Sequence, residues 1–137
     1  MSLGTSVSKN IIISASADGL GWCMATVLID QGHTVYLSDI NQQKIDEIHK
    51  HPLFNKRVFI ENVDAGNPES VKSYFKTLSQ KVTSIDVLIN NVGIAGPTGL
   101  MEDLTIEDWR QTIDINLNSH FYFTKFAIPL LKQNKGG

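Results

Sequence analysis

The chain has 137 residues, of which 42% are hydrophobic and 19% charged, the balance of one globular domain with a modest core. A net charge of −2 points away from nucleic acid and from anionic membrane surfaces, and no stretch approaches the roughly 20 apolar residues of a membrane span. The single cysteine, Cys23, excludes an internal disulfide and suits a reducing, cytoplasmic setting; residues 1–10 are polar and contain no secretory h-region.

Residues 10–14, Asn-Ile-Ile-Ile-Ser, are a continuous run of strand length, as expected of a strand buried on both faces. Residues 15–21 follow as a loop of small side chains. Leu20, Cys23, Met24, Val27 and Leu28 recur at helical spacing, which predicts a helix over 19–31 with those residues buried, and Gly32 stops it. Residues 34–39 read as a second strand, 41–51 as a polar helix ended by Pro52, and 57–62 as a third strand. Asn67 caps a helix with Pro68 at its first position; it runs to about Val82 and buries Val71, Tyr74, Phe75 and Leu78. Residues 85–89 form a fourth strand, broken at 90–93. After a loop over 96–103, Thr105 and Asp108 resemble a capping box. Helical periodicity then continues to about residue 133, kinked or split near 116–119, and 135–137 are a stop or tail. This alternation predicts an α/β fold: a Rossmann-type doubly wound parallel sheet with helices on both faces. Right-handed crossovers give the strand order 3-2-1-4.

The turn after the first strand carries the first chemical signal. It opens a helix directly, so free backbone N–H groups and the positive end of the helix dipole face the same point. Gly19 lets the backbone approach a phosphate, and Gly21 lets the helix pack on the sheet. A pair of glycines alone reads as packing; their place after strand one favours a nucleotide. Asp39 ends strand two, where a carboxylate can accept from both ribose hydroxyls of an adenosine and repel a 2′-phosphate. Asp18 adds negative charge beside it, and no Arg or Lys follows Asp39 closely. Both facts favour NAD over NADP.

The set resembles the short-chain dehydrogenase/reductase family. That family opens with Thr-Gly, three variable residues, then Gly, an aliphatic residue and Gly; here the segment is Ser14-Ala15-Ser16-Ala17-Asp18-Gly19-Leu20-Gly21, with Ala15 in place of the first glycine. Asn90-Asn91-Val92-Gly93 matches the Asn-Asn-Ala-Gly after strand four, Asp64 matches an Asp after strand three, and Asp114-Ile115-Asn116-Leu117, with Trp109 before it, matches the helix that follows. The resemblance implies NAD contacts at Ser14, Ser16, Asp18, Gly19 and Leu20, at Asp39 and Ile40, at Asp64 and Ala65, and at Asn91 and Gly93. It makes Asn116 a member of the catalytic tetrad. It also implies an alcohol or carbonyl substrate, hydride transfer and a homo-oligomer, for which the long last helix is the expected surface.

The family's Ser and its Tyr-x-x-x-Lys pair have no match here. Tyr122 and Lys125 are one residue too close, and both Tyr122 and Tyr74 read as packing aromatics. The family runs to roughly twice this length. The chain is therefore expected to be the cofactor-binding half, cut before strand five. The alternative is an inactive NAD-binding or interaction module. Cys23 reads as a core residue, and His49 and His51 point to different faces of a helix, so no metal site is expected.

Overall fold

The computed structural model describes residues 7–134; the expected tail at 135–137 lies outside them. The elements are β1 (Asn10–Ile13), α1 (Gly19–Asp30), β2 (Thr34–Asp39), α2 (Gln42–Ile48), β3 (Val58–Asn62), α3 (Pro68–Lys81), β4 (Val87–Ile89), α4 (Ile106–Ile113) and α5 (Ser119–Gln133). All strand pairs are parallel, in the order β3-β2-β1-β4, as the sequence pattern predicts.

Alternation along each strand divides the core into two layers. Ile11 and Ile13 of β1 point one way, onto Ala25 and Ile29 of α1 and Ile45 and Ile48 of α2. Ile12 points the other way, onto Val71, Tyr74, Phe75 and Leu78 of α3 and Phe123 and Ala127 of α5. Ile12 is paired with Tyr36 on one side and Leu88 on the other. The sheet is thus covered on both faces, which is why each strand has an apolar centre, most plainly Ile11-Ile12-Ile13 of β1.

Sequence spacing finds the buried face of α1 only in part: Met24 and Leu28 are partly buried against the core, but the other three expected residues are not. Leu20 and Val27 are 70% and 52% exposed and Cys23 is also exposed, whereas Gly21, Ala25 and Ile29 are buried. The physical reason is contact distance. A Cβ built on Gly21 would lie 2.7 Å from Ala15 O, Ser16 Cα and Asn91 Nδ2, so only a hydrogen there lets the helix seat against the turn. That seating fixes the rotation of α1 and puts its small residues inward. The end of α1 behaves as expected: Gly32 has φ +87°, its N–H donates to Ile29 O, and His33 N donates to Leu28 O, a Schellman stop.

β4 starts two residues later than the apolar run suggests. Ile85 is fully buried, but its N–H donates to Leu130 O of α5 rather than to a strand. The split in the last helix is real. Residues Asp114–Asn118 form a π-helical turn between α4 and α5.

Candidate functional site

The chain reverses sharply after β1. Ser14 and Ser16 are fully buried, and their hydroxyls are spent within the protein. Ser16 Oγ donates to Ile13 O at 2.7 Å, and Ser14 Oγ accepts from Asn91 N at 3.0 Å. These two serines therefore hold the turn from beneath, and whatever they offer a ligand passes through the backbone. Ala15 between them adopts φ +49°, the left-handed conformation that the family's glycine takes freely. Its carbonyl accepts from Asn91 Nδ2 at 2.8 Å. Asn91 thus staples the end of β4 to the turn; its side chain is an internal strut.

Gly19 has φ +54°, and a Cβ there would meet nothing within 4 Å, so this glycine is required by conformation and faces open space. Asp18 caps α1: its Oδ1 accepts from Gly19 N at 2.8 Å. The remaining first-turn N–H groups of α1 have no acceptor within the helix. Leu20 lies exposed on the rim.

Beside the turn lies a cleft of about 180 Å³ lined by Ala15, Asp39, Ile40, Asp64, Ala65 and Gly93, together with Ser38, Val63, Gly66, Val92, Ile94 and Ile115. Asp39, Ile40, Asp64, Ala65 and Gly93 of the sequence reading are therefore brought together at the C-terminal ends of the strands, where open α/β sheets hold ligands. Asp39 Oδ2 accepts from Ala17 N and Oδ1 from Asn41 N, both at 2.9 Å. Each oxygen keeps a lone pair free. Asp64 Oδ1 accepts from Gly66 N at 3.0 Å and so closes its own turn, leaving its second oxygen available. Ile94 and Ile115 escape the sequence motifs because an isoleucine at a cleft wall leaves no pattern distinct from core.

Asn116 sits within the π-helical turn. Its Oδ1 accepts from Ile94 N at 2.7 Å and its Nδ2 donates to Ile94 O at 2.9 Å. The side chain brackets the loop after β4 with these two bonds and keeps one N–H and one lone pair free. A π turn also displaces main-chain carbonyls from the regular helical ladder, and such turns recur at functional sites. His120 reaches the same loop through Nε2 and Val92 O, 2.9 Å apart.

One cation stands closer than the sequence suggests. Lys44 Nζ lies 3.4 Å from Asp18 Oδ2, because α2 leaves β2 back toward the turn. The Gly19 N–H, then Lys44, hold the Asp18 carboxyl below its ordinary range. Among the described residues, no group of three or more His, Cys, Asp or Glu could hold a metal ion.

The model of the short chain dehydrogenase family matches residues 9–137. The chain belongs to that family. It is 31% identical over 134 residues to the cyclohexanol dehydrogenase of Acinetobacter sp. (strain SE19), covering 95% of this chain and 52% of that protein. It is 26% identical over 127 residues to the NADP-dependent 3-hydroxy acid dehydrogenase of Escherichia coli O6:H1, covering 92% and 50%. Among solved structures, the ligand-free aldohexose dehydrogenase of Thermoplasma acidophilum matches with a TM-score of 0.76 at 29% identity, over 93% of this chain and 46% of that one. The chain spans about half the length of the curated relatives it matches.

Proposed function

We propose that this chain is the cofactor-binding half of an NAD-dependent oxidoreductase of the short-chain dehydrogenase type, acting on a small alcohol or carbonyl substrate. The observation that carries the reading is Asp39. It stands at the mouth of the cleft with one lone pair free on each oxygen, and among the described residues no cation lies within 4.0 Å of it. A bare carboxylate there suits two ribose hydroxyls and opposes a 2′-phosphate.

The residues fit the rest of a dinucleotide. Gly19 leaves open space over the first turn of α1 for a pyrophosphate. Asp64 and Ala65, with the apolar wall of Val63, Ile94 and Ile115, suit an adenine. Gly93 lies on the opposite lip, toward Asn116. When bound, the nicotinamide would supply the hydride chemistry. The residues here position it and order the loop around it: Asn116 through its bracket on Ile94, Asn91 through its strut to Ala15. A cytoplasmic location belongs to the same reading. So does a homo-oligomer, supported by the exposed apolar side chains Trp109, Leu117, Phe121 and Ile128 along α4 and α5.

Isothermal titration of the chain with NAD+ tests the proposal. The expected result is saturable binding that Asp39→Ala weakens. Binding weaker than about 1 mM, or insensitive to Asp39, overturns it. The second reading, a module that binds NAD without hydride transfer, is favoured by the Tyr122–Lys125 spacing. Tyr122 packs against the core and Lys125 lies over the Phe121 ring at 5.6 Å, away from the cleft. Activity toward alcohols in the natural full-length protein would refute that second reading.

A further inference from the structure

The segment after β4 is held along the last helices as a ladder. Thr112, Asn116, His120 and Thr124 recur every four residues across α4, the π-helical turn and α5. Opposite them, in descending order, stand Gly96, Ile94, Val92 and Asn90. Asn116 takes both the N–H and the carbonyl of Ile94, at 2.7 and 2.9 Å. His120 Nε2 lies 2.9 Å from Val92 O; a carbonyl only accepts, so that nitrogen carries the proton. Thr124 Oγ1 accepts from Asn90 Nδ2 at 3.1 Å. Gly96, at φ +72°, closes on Thr112, where an added Cβ would lie 3.0 Å from the hydroxyl. The two spacings agree because four helical residues advance about 6 Å and two extended residues about 6.6 Å. A four-residue step on an α-helix also over-rotates by about 40°, and the wider π turn at Asp114–Asn118 takes back part of that rotation. The helix break thus keeps the stripe aimed at one segment.

The same segment forms a wall of the cleft. Asn91, between two rungs, turns toward the end of β1: its N–H donates to Ser14 Oγ at 3.0 Å and its Nδ2 to Ala15 O at 2.8 Å. Val92, Gly93 and Ile94 line the cleft, with Ile115 beside them from the π turn. Residues 90–94 are therefore gripped from two sides. The outer rung, Asn90 with Thr124, is exposed, whereas His120 is half-buried and its bond is better shielded from water. We propose that His120 is a positioning residue for the cofactor cleft: by holding Val92 O it fixes Val92 and Gly93 at the wall. His120 does not itself line the cleft, so it acts through this main chain alone. The inference rests on the cleft being a dinucleotide site, and it assigns a residue that none of the sequence motifs marks. Without this rung the segment leaves the wall for part of the time, and apparent affinity falls by that fraction.

The test compares H120L, H120Q and I29V with wild type on the 137-residue chain. Leucine removes the donor, and glutamine restores an N–H on a side chain of similar reach. Ile29→Val trims a buried side chain at the far end of α1 and serves as a destabilised control. Each variant is followed by thermal melts, by calorimetric titration with NAD+, and by hydrogen exchange at the Asn91 and Ile94 amides, which donate to Ser14 and Asn116. H120L is expected to weaken NAD+ about fourfold, the size of one net hydrogen bond, and to speed exchange at both amides. H120Q should return affinity to within about twofold of wild type, and I29V should melt earlier without losing affinity. Unchanged affinity in H120L overturns the proposal. So does equal weakening in I29V, since affinity would then follow global stability, and so does a folded H120Q that binds no better than H120L. A folded wild type that binds no NAD+ refutes the dinucleotide reading and takes this inference with it; NAD+ binding that ignores His120 overturns the inference only.

Discussion

Replacing Gly21 by alanine separates two forces of opposite sign. Gly21 lies in the first turn of α1, and helix propensity alone favours alanine there by about 1 kcal/mol. Packing opposes it. The added Cβ would lie 2.7 Å from Ala15 O, Asn91 Nδ2 and Ser16 Cα. Two of these atoms are backbone of the turn, and the third is fixed because Asn91 Nδ2 donates to Ala15 O at 2.8 Å. Ordinary contact therefore requires α1 to lift by several tenths of an ångström from the sheet. Overpacking of this kind costs about 1–3 kcal/mol, and loosening the Asn91 bond adds roughly 1 kcal/mol. Set against the propensity gain, Gly21→Ala is expected to destabilise the fold by about 2 kcal/mol, a fall in Tm of roughly 5–8 °C. Urea unfolding followed by far-UV circular dichroism measures this. As a control, Gly19→Ala places its Cβ in open space and carries only the left-handed backbone cost of about 1 kcal/mol. A Gly21→Ala variant as stable as wild type would refute the claim that this contact sets the rotation of α1.

Four further outcomes follow from the same geometry. Ala15→Gly removes a left-handed alanine and should leave the protein slightly more stable, by about 0.5 kcal/mol once the greater freedom of unfolded glycine is subtracted, whereas Ala15→Val should cost more than 1 kcal/mol; paired urea titrations show the order. Tyr74 is buried, its hydroxyl has no partner among the described residues, and burial pushes its pKa up; Tyr74→Phe is expected to raise stability by about 1 kcal/mol, and a loss of that size would reveal a hydrogen bond. Asn116→Ala breaks both bonds to Ile94 and should cost about 1–2 kcal/mol, with faster hydrogen exchange confined to the loop after β4. The Asp18 carboxyl is depressed by the Gly19 N–H and by Lys44, so its contribution is whole above the ordinary value of 3.8 and is lost as pH falls through the lower folded value. The difference in urea midpoint between wild type and D18N should accordingly hold from neutral pH to about 5 and shrink below about 4. A difference that grows on acidification would contradict that sign.

The fold could be read in advance because a doubly covered parallel sheet writes itself plainly. Each strand has an apolar centre, the helices α1 to α4 start at a capping side chain, and right-handed crossovers with the glycine turn after β1 favour the order 3-2-1-4. Asn67 and Pro68 mark the start of α3, and Asn67 Oδ1 accepts from Glu69 N and Ser70 N as its sequence position implies. The rotation of α1 was legible only in part, through Met24 and Leu28, since it is decided by contact between Gly21 and residues as far away as Asn91. Periodicity counts apolar side chains; here the absence of a side chain chose the face.

The candidate site divides along the same line. Asp39, Asp64 and the glycine turn are legible because each sits where a strand ends, and a strand end is fixed by local pattern. Lys44 was missed because distance along the chain is a poor guide where a strand-to-helix bend reverses direction. Five positions after Asp39 it has returned to Asp18. Asn116 presents the converse case. Its motif marks the position, yet the structure gives its amide to Ile94 and leaves the π turn as the unusual feature. The side chain is the clamp that holds the π turn against the loop after β4, while the turn shifts the main chain beside it. That division of labour ties the helix break to the site: an unbroken helix over residues 106–133 would return the displaced carbonyls to the helical ladder and withdraw the Asn116 amide from Ile94.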